Sequence, residues 1–472
     1  MDIVVIDTPA LGDRSYLVHD GSQALVVDPQ RDTDRVVQAA QAAGVRIAAV
    51  AETHGHNDYL TGGLQLAREQ SVPYLVPALL DAQFERRAVR GGDVLPVGDL
   101  TVTVVDTPGH TEHHVSYVVA HDGEQAVFSG GSLLFGSVGR TDLVDPERTV
   151  ELTHAQWHSV RRLVDVAGDE AALYPTHGFG SFCSSGPATG ADSSTIAEQR
   201  ALNHALTDGD EQHFVQTLIA NLTEYPAYYA HMGPGNAAGP GPVDLSLPTP
   251  LDPAVLRERL AAGGWVVDLR RRVAFADDHL HGAVSFEYGD GTSFTTFLGW
   301  VLPWGEPLTL VGTEQDVTDA VRDLARIGIE RPDAALGTDP TAMADGWPTA
   351  SYPRLGWAEL ASALTTADPD GVVVLDVRRR DEHAAGRVSG SVNVPLHDLL
   401  RRLDDVPPGT VWVHCASGYR AGTAASLLER AGRAVVHLDA AFTDAGAAGV
   451  PLDVPTEPDV DVRPAAQTAP TS

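Results

Sequence analysis

Short apolar runs alternate with Ala-, Leu- and Arg-bearing stretches of helical period along most of the chain. The runs IAAVAETHG, LTVTVVDTPG, WVVDLRR, VVVLDVRR and TVWVHCAS have the length and β-branched content of buried strands. Strands that alternate with helices predict an α/β multidomain protein containing parallel sheets. Two Gly- and Pro-rich stretches break both periods and read as linkers: HMGPGNAAGPGPVDLSLPTP at 231–250 and GTDPTAMADGWPTASYP at 337–353. They mark off three domains, 1–230, 251–336 and 354–454. The polar, Pro-rich tail 455–472 has too little apolar surface to offset the entropy of ordering, so it is expected to be disordered.

The second and third parts read as an internal repeat. Trp265 to Phe286 (WVVDLRRRVAFADDHLHGAVSF) lines up with Val373 to Val394 (VVLDVRRRDEHAAGRVSGSVNV), and the offset from Asp268 to Gly282 equals that from Asp376 to Gly390.

Composition narrows the function classes. A chain of 472 residues accommodates about three domains of roughly 100–200 residues each. The N-terminal MDIVVIDTPALG lacks the basic stretch and cleavage site of a signal peptide and reads as a first strand, and no run of about 18 apolar residues suggests a membrane span. A cytoplasmic location without membrane partners is therefore expected. The formal net charge of −32 disfavours nucleic acid, which binds through clustered cations, and reads as a solvating surface. All 32 basic residues are Arg, which excludes Schiff-base chemistry on lysine. Two cysteines, Cys183 and Cys415, are too few for a disulfide framework and read as free thiols.

Cys415 is the strongest chemical candidate. The run Thr410 to His414 delivers it into CASGYR, directly before the helical AGTAASLLERAG, so the helix macrodipole and free amides point at the sulfur and favour its thiolate. Gly418 permits the positive φ that curls the loop, and Arg420 adds a charge suited to an anionic group. Cys415 and Arg420 are thus the candidate catalytic pair, with Ala416, Ser417, Gly418 and Tyr419 forming the substrate cradle. This third part resembles the rhodanese family, with LDVRRRDEHAAGRVSGSVNVPL matching its entry motif and CASGYRA its active loop. The resemblance implies that Cys415 takes a sulfane sulfur from thiosulfate or a persulfide and passes it to a thiol or cyanide. Four residues between Cys415 and Arg420, one fewer than in related phosphatases, favour sulfur over phosphoryl transfer. The second part resembles the same fold, but PLTLV leads into GTEQDV with neither Cys nor Arg, which marks a catalytically inactive copy.

A histidine set occupies the first part. IAAVAE ends in THGHNDYLTGG, giving His54, His56 and Asp58, while TPGHT gives His110 and YPTHG gives His177. Residues at the ends of several strands of a layered sheet converge on one rim, and His with carboxylate suits zinc or non-haem iron. His113, His114 and His121 read as structural. Residues 1 to about 205 resemble the metallo-β-lactamase fold, an αβ/βα sandwich with the signature H-x-H-x-D-H. YLTGG, GRTDL and YPTHGFGSFCSS look most like the persulfide dioxygenase and glyoxalase II branch, particularly members fused to rhodanese domains. By this resemblance Arg140 of GRTDL is expected to bind substrate. Two departures remove ligands: Tyr59 stands where the signature has its last His, and Gly131 where the family has a metal-binding Asp. One Fe(II) or Zn(II) held by His54, His56 and His110 is expected, and a second metal is not.

The expected function is sulfane-sulfur transfer through Cys415, coupled to a mononuclear centre acting on low-molecular-weight persulfides, with small thiols, persulfides or thiosulfate as partners. A metal-dependent thioester hydrolase of glyoxalase II type, or a non-catalytic N-terminal scaffold serving a sulfur-relay rhodanese, are the alternatives left open. The metallo-β-lactamase-fold resemblance implies a homodimer.

Overall fold

The alternating pattern of the first 180 residues closes into two sheets whose inward positions interleave. In a computed structural model that describes residues 1–186, 189–289, 293–366 and 371–454, the first sheet runs Asp2–Thr8, Asp13–His19, Gln23–Val27, Arg46–Ala51, Tyr74–Pro77, Arg87–Val89. Its first three strands are antiparallel and the remainder parallel. The second sheet runs Ala172–Pro175, Glu124–Gly130, Val115–His121, Leu100–Asp106, Val94–Val97, antiparallel except for the Glu124–Gly130/Ala172–Pro175 pair. The tail 455–472 lies outside the described residues.

Period-two alternation decides which residues meet. Tyr16, Val18, Leu25, Val27, Ala49 and Ala51 from one sheet share a core with Leu100, Val102, Val104, Tyr117, Val119 and Phe128 from the other. The intervening positions face outward under helices. Leu17, Val26 and Val50 pack with Val36, Leu64 and Leu66, and Val105, Val118 and Val127 pack with Trp157, Val160 and Leu163. Helix Thr149–Val166 buries residues 149, 152, 153, 156, 157, 159, 160, 163 and 164, a stripe spaced three and four residues apart. The result is a four-layer αβ/βα sandwich.

The chain sorts into two compact units: Met1–Pro250 with Tyr288–Pro307 and Thr313–Leu336, and Leu251–Glu287 with Leu308–Gly312 and the residues from Gly337 on. The segment 251–336 therefore contributes to both. In the first unit its helix Glu314–Arg326 is tied down where Arg326 bonds Asp32 at 2.6 Å and the Leu60 N–H donates to the Arg326 carbonyl at 2.7 Å. The first eight residues of the stretch 231–250, read as a linker, lie in helix Tyr229–Ala238. Its composition conceals the reason: the Asn236 side chain donates to the carbonyls of His56 (2.8 Å) and Tyr59 (2.9 Å) and accepts from the Thr61 N–H (2.9 Å). The stretch 337–353 likewise contains strand Thr349–Ala350, antiparallel to His279–Leu280.

In the second unit a five-stranded sheet runs Arg354–Leu355, Val435–Leu438, Thr410–His414, Val372–Asp376, Val392–Asn393, all parallel. A second parallel set pairs Trp265–Asp268 with Val284–Ser285 and with Leu308–Gly312. The internal repeat is carried to the atom. Asp268 is held by Arg270 at 2.6 Å and Asp376 by Arg378 at 2.6 Å; Arg270 also reaches the Asp278 carbonyl and Arg378 the Gly386 carbonyl. Gly282 and Gly390 both turn at positive φ. Where the third part has Cys415, the second has Thr313, whose hydroxyl caps helix Glu314–Arg326 by accepting from the Asp316 N–H.

Candidate functional site

Four strand ends of the sandwich open on one rim. Gln23–Val27 and Arg46–Ala51 are parallel neighbours that deliver Asp28 and the segment Glu52 to Tyr59; Leu100–Asp106 leads to His110 and Ala172–Pro175 to His177. His54, His56, Asp58, His110 and His177 are each at most 1% exposed.

Three of these imidazoles converge. Ligand atoms of His54, His110 and His177 lie within 4.8 Å of one another, and His54 Nε2 is 3.3 Å from His177 Nε2. Each ring uses its other nitrogen on a protein partner. The Thr53 hydroxyl donates to Asp28 Oδ2 at 2.7 Å, so the His54 Nδ1–H donates to Thr53 Oγ1 at 2.9 Å. The His110 Nδ1–H donates to the Arg140 carbonyl at 2.7 Å. The His177 Nδ1–H donates to Asp13 Oδ1 at 2.8 Å and lies 3.1 Å from Asp58 Oδ2. Three Nε2 atoms therefore face a common centre, and His110 Nε2 is a buried atom without a partner. Lone pairs brought together in a dry site require a positive charge between them. Imidazoles whose Nδ1–H groups are fixed by carbonyl, hydroxyl and carboxylate are the usual support of a metal ion, so the donor set fits one metal. Burial first, then neighbouring histidines, hold His54 well below its usual range, and burial with His177 lowers His110 to about 3. Burial opposes a charge on His177 too, but Asp58 and Asp13 outweigh it and hold this ring well above its usual range, so without a metal the positive charge between the rings is a proton on His177 Nε2 donated to His54 Nε2, which a bound metal would displace.

The remaining members of the set are placed differently. His56 Nε2 is 3.2 Å from Glu52 Oε2, 3.3 Å from Asp28 Oδ1 and 3.0 Å from the Tyr59 hydroxyl. His56 therefore falls in groups with Asp58 and His177, and with Asp28 and Glu52, instead of completing a His54, His56, His110 triad. The Tyr59 ring stacks on His56 with centroids 4.3 Å apart. Asp58 backs His177 through Oδ2, which also accepts from Ser181 Oγ at 3.0 Å. At Gly131 an added Cβ would stand 2.2 Å from His110 Cδ2, so the His110 ring occupies the space a side chain there would need.

Arg140, expected to bind substrate, is 2% exposed here. Its guanidinium bonds Asp142 (2.7 and 2.8 Å), the Phe182 carbonyl (3.2 Å) and the Thr223 carbonyl (2.6 Å), and its own carbonyl meets His110 Nδ1. His114 accepts from the Gly131 N–H and meets Thr107 Oγ1, and His113 accepts from the Gly55 N–H, so both have structural bonds. Cys183 is buried, and burial followed by Asp58 pushes its thiol up. The supporting carboxylates Asp13, Asp28 and Glu52 were not identified in the sequence. Asp28 was accessible there, since it ends the apolar run ALVVD beside the run that ends at His54.

In the second unit Cys415 follows the middle strand of the parallel sheet and is 1% exposed. The Gly418 N–H donates to its Sγ at 3.2 Å, and helix Tyr419–Arg430 starts at once. Gly418 has φ +95°, and a Cβ there would meet Asp439 Oδ1 at 2.2 Å, so only glycine fits the curl. The loop is pinned where the Phe442 N–H donates to the Ala416 carbonyl, His437 Nε2 meets the Gly418 carbonyl and the Tyr419 hydroxyl donates to the Glu287 carbonyl. Ala416 and Ser417 are exposed at its mouth. Arg420 is gripped by Glu382 through two bonds of 2.6 and 2.7 Å, so its charge is shared with a carboxylate.

Residues 10–178 match the metallo-beta-lactamase superfamily and residues 357–447 the rhodanese-like domain. The chain is 35% identical over 127 residues to hydroxyacylglutathione hydrolase of Methylobacillus flagellatus, covering 26% of this chain and 49% of that protein, and so spans about half of that relative's length. It is 28% identical over 217 residues to human mitochondrial persulfide dioxygenase ETHE1, covering 46% of this chain and 76% of that one. Among solved structures it shares its fold with a metallo-beta-lactamase from Staphylococcus aureus at TM-score 0.64 and 24% identity, covering 71% of this chain and 99% of that one. The protein thus carries a metallo-beta-lactamase domain and a rhodanese-like domain, and no helix among the described residues is long and apolar enough to cross a membrane.

Proposed function

We propose that this protein is a sulfurtransferase whose Cys415 carries a sulfane sulfur, with one metal ion at His54, His110 and His177 acting on a small persulfide. The observation that carries the reading is the Cys415 loop: a sulfur at the end of a middle parallel strand, receiving the Gly418 N–H at 3.2 Å at the start of a helix. An amide at a helix start stabilises negative charge on the sulfur and, after transfer, on the outer sulfur of a persulfide. The Cys415 thiolate attacks the outer sulfur of thiosulfate, a sulfur–sulfur bond forms, and sulfite leaves with the electrons of the bond that breaks. A thiolate or cyanide then attacks the outer sulfur of the Cys415 persulfide, and Cys415 leaves as thiolate. Arg420, balanced by Glu382, holds the loop and offers a partial charge to the anionic donor.

The metal-binding residues support a companion activity on persulfides like that named for the human relative. A bound Fe(II) would supply open positions for oxygen and a sulfur ligand, and a bound Zn(II) Lewis acidity. Around it, Thr53, the Arg140 carbonyl and the Asp13–Asp58 pair set the three ring tautomers, and the buried rim excludes water. Tyr59 and the side-chain-free Gly131 supply no imidazole or carboxylate for a second ion, which counts against a two-metal thioester hydrolase, while His56, Asp58 and His177 are a second donor group beside the first.

The test uses the full chain, prepared anaerobically with Fe(II). Cys415→Ser should abolish sulfur transfer from thiosulfate to cyanide while oxygen uptake with glutathione persulfide persists, and His110→Ala should do the reverse. Transfer that survives in Cys415→Ser would overturn the assignment of the nucleophile. Oxygen uptake equal in wild type and His110→Ala would overturn that of the metal.

A further inference from the structure

The inactive repeat copy reaches the Cys415 loop through a charged side chain that the sulfur chemistry does not use. Arg272 opens the short helix Arg272–Asp277, and its guanidinium bonds two carboxylates at once: Nη1 donates to Glu287 Oε2 at 2.6 Å and Nε to Asp439 Oδ1 at 2.9 Å. Its stem lies on the active-loop helix, where a Cβ at Gly422 would stand 3.2 Å from Arg272 Cβ. Both of its partners touch the loop. A Cβ at Gly418 would stand 2.2 Å from Asp439 Oδ1, so that carboxylate lies directly against the glycine whose N–H donates to Cys415 Sγ at 3.2 Å. The backbone carbonyl of Glu287 accepts from the Tyr419 hydroxyl at 3.2 Å, one residue further on. The Glu287 and Asp439 side chains are each 8% exposed, so both charges depend on the protein for their balance.

We infer that Arg272 is a positioning residue for sulfur transfer, holding Gly418 and Tyr419 in place and cancelling the Asp439 charge beneath the loop. The inference rests on the reading of Cys415 as the sulfur carrier. Transfer places negative charge on sulfur next to the Gly418 N–H, and a bare carboxylate against the same glycine would repel it. Arg272 supplies the balancing charge from a side chain 23% exposed. Arg354 also bonds Asp439, at 3.2 Å through Oδ2, but from a side chain 36% exposed, where water screens it more. The planar guanidinium serves both carboxylates in one geometry, which a lysine ammonium does not. In the alignment of the two copies Arg272 corresponds to Arg380, which turns to Asp398 of its own copy, whereas Arg272 crosses to Asp439 of the other. The copy without a cysteine thus completes the site of the copy that has one.

The test is single-turnover sulfur transfer from thiosulfate by the full chain, with thermal unfolding of each variant recorded. Arg272→Ala should lower the saturating rate about 10-fold or more while the half-saturating thiosulfate concentration stays within about twofold, because the nucleophile and not donor binding is disturbed. Adding Asp439→Asn removes the charge that needed cancelling, so the double variant should be at least about threefold faster than Arg272→Ala alone. Arg272→Lys keeps the charge but bonds one carboxylate, and its rate should lie between those of wild type and Arg272→Ala. A wild-type rate in Arg272→Ala or, where that variant does not fold, in Arg272→Lys would overturn the inference. So would a loss expressed in half-saturation alone, or a double variant no faster than Arg272→Ala. Cys415→Ser, run beside them, separates the two claims: transfer surviving there sinks the reading of Cys415, whereas its loss beside wild-type rates in the Arg272 variants sinks the inference alone.

Discussion

Replacing Gly131 by alanine adds one methyl group at the point where the His110 ring is packed closest. The new Cβ would stand 2.2 Å from His110 Cδ2, 2.7 Å from Cγ and 2.8 Å from Nε2. To reach ordinary contact at 3.4 Å the ring must retreat by about 1.2 Å, whereas metal bonds tolerate roughly 0.2 Å. Retreat is resisted behind the ring, where Nδ1 is tied to the Arg140 carbonyl and the backbone N–H to Gln156. Overpacking of this kind costs about 1–3 kcal/mol of stability. Displacing one of three candidate ligands should weaken metal affinity at least as much as losing a supporting partner does, roughly 10- to 100-fold, equivalent to about 1.4–2.8 kcal/mol. The assay is chelator competition for Fe(II) or Zn(II) together with thermal unfolding, and Gly209→Ala, where nothing lies within 4 Å of the new carbon, is the control. Metal affinity in Gly131→Ala within twofold of the control would refute the claim that the three Nε2 atoms define the binding centre.

Three further outcomes follow from buried bonds. Asn236→Ala should lower stability by about 2–4 kcal/mol in chemical denaturation, since it deletes three buried hydrogen bonds to the His56–Thr61 segment, and it should weaken metal binding by loosening that segment. Burial would raise the Asp376 carboxyl, but its bonds from Arg378 and the nearby His414 outweigh this and hold it below the usual carboxylate range. Its stabilising effect is therefore complete above the unfolded value near 4 and lost as pH falls through the lower folded value. Acid unfolding of the second unit, followed by hydrogen exchange of strand Val372–Asp376, should be steepest below about pH 4 and shallower in Asp376→Asn. Glu382→Gln should cost about 1.5–3 kcal/mol in thermal unfolding and alter the KM for thiosulfate, because Arg420 loses its carboxylate partner.

Much of this protein was legible along the chain because its signals are local. A strand of five residues followed by Cys, Gly and a helix is a short-range pattern, and Cys415, Gly418 and Tyr419 stand in the structure as that pattern requires. The repeat was legible for the same reason: the Asp268–Arg270 and Asp376–Arg378 clasps span two residues each. Period-two alternation likewise determined which strand faces meet in the sandwich, since side chains on successive residues must point to opposite sides.

What the chain order could not show is which polar groups become partners once remote segments are packed. His54 and His56, two residues apart, part company because Thr53 and Asp28 orient one ring while Glu52, Asp28 and Tyr59 hold the other. His177, 123 positions from His54, takes the third place in the triad because Asp13 and Asp58 set its tautomer. Arg140 and Arg420 read as free charges for substrate, yet each finds a carboxylate, since a guanidinium withdrawn from water must be paired. Gly/Pro-rich composition suggested a linker from His231 onward, and one buried amide, Asn236, ties its first turns to the His56–Thr61 segment at the histidine rim. Sequence determines the backbone's local options and the faces of its elements; the pairing of buried polar atoms, on which tautomers and charges depend, is decided only when the layers close and remove the water that would otherwise satisfy them.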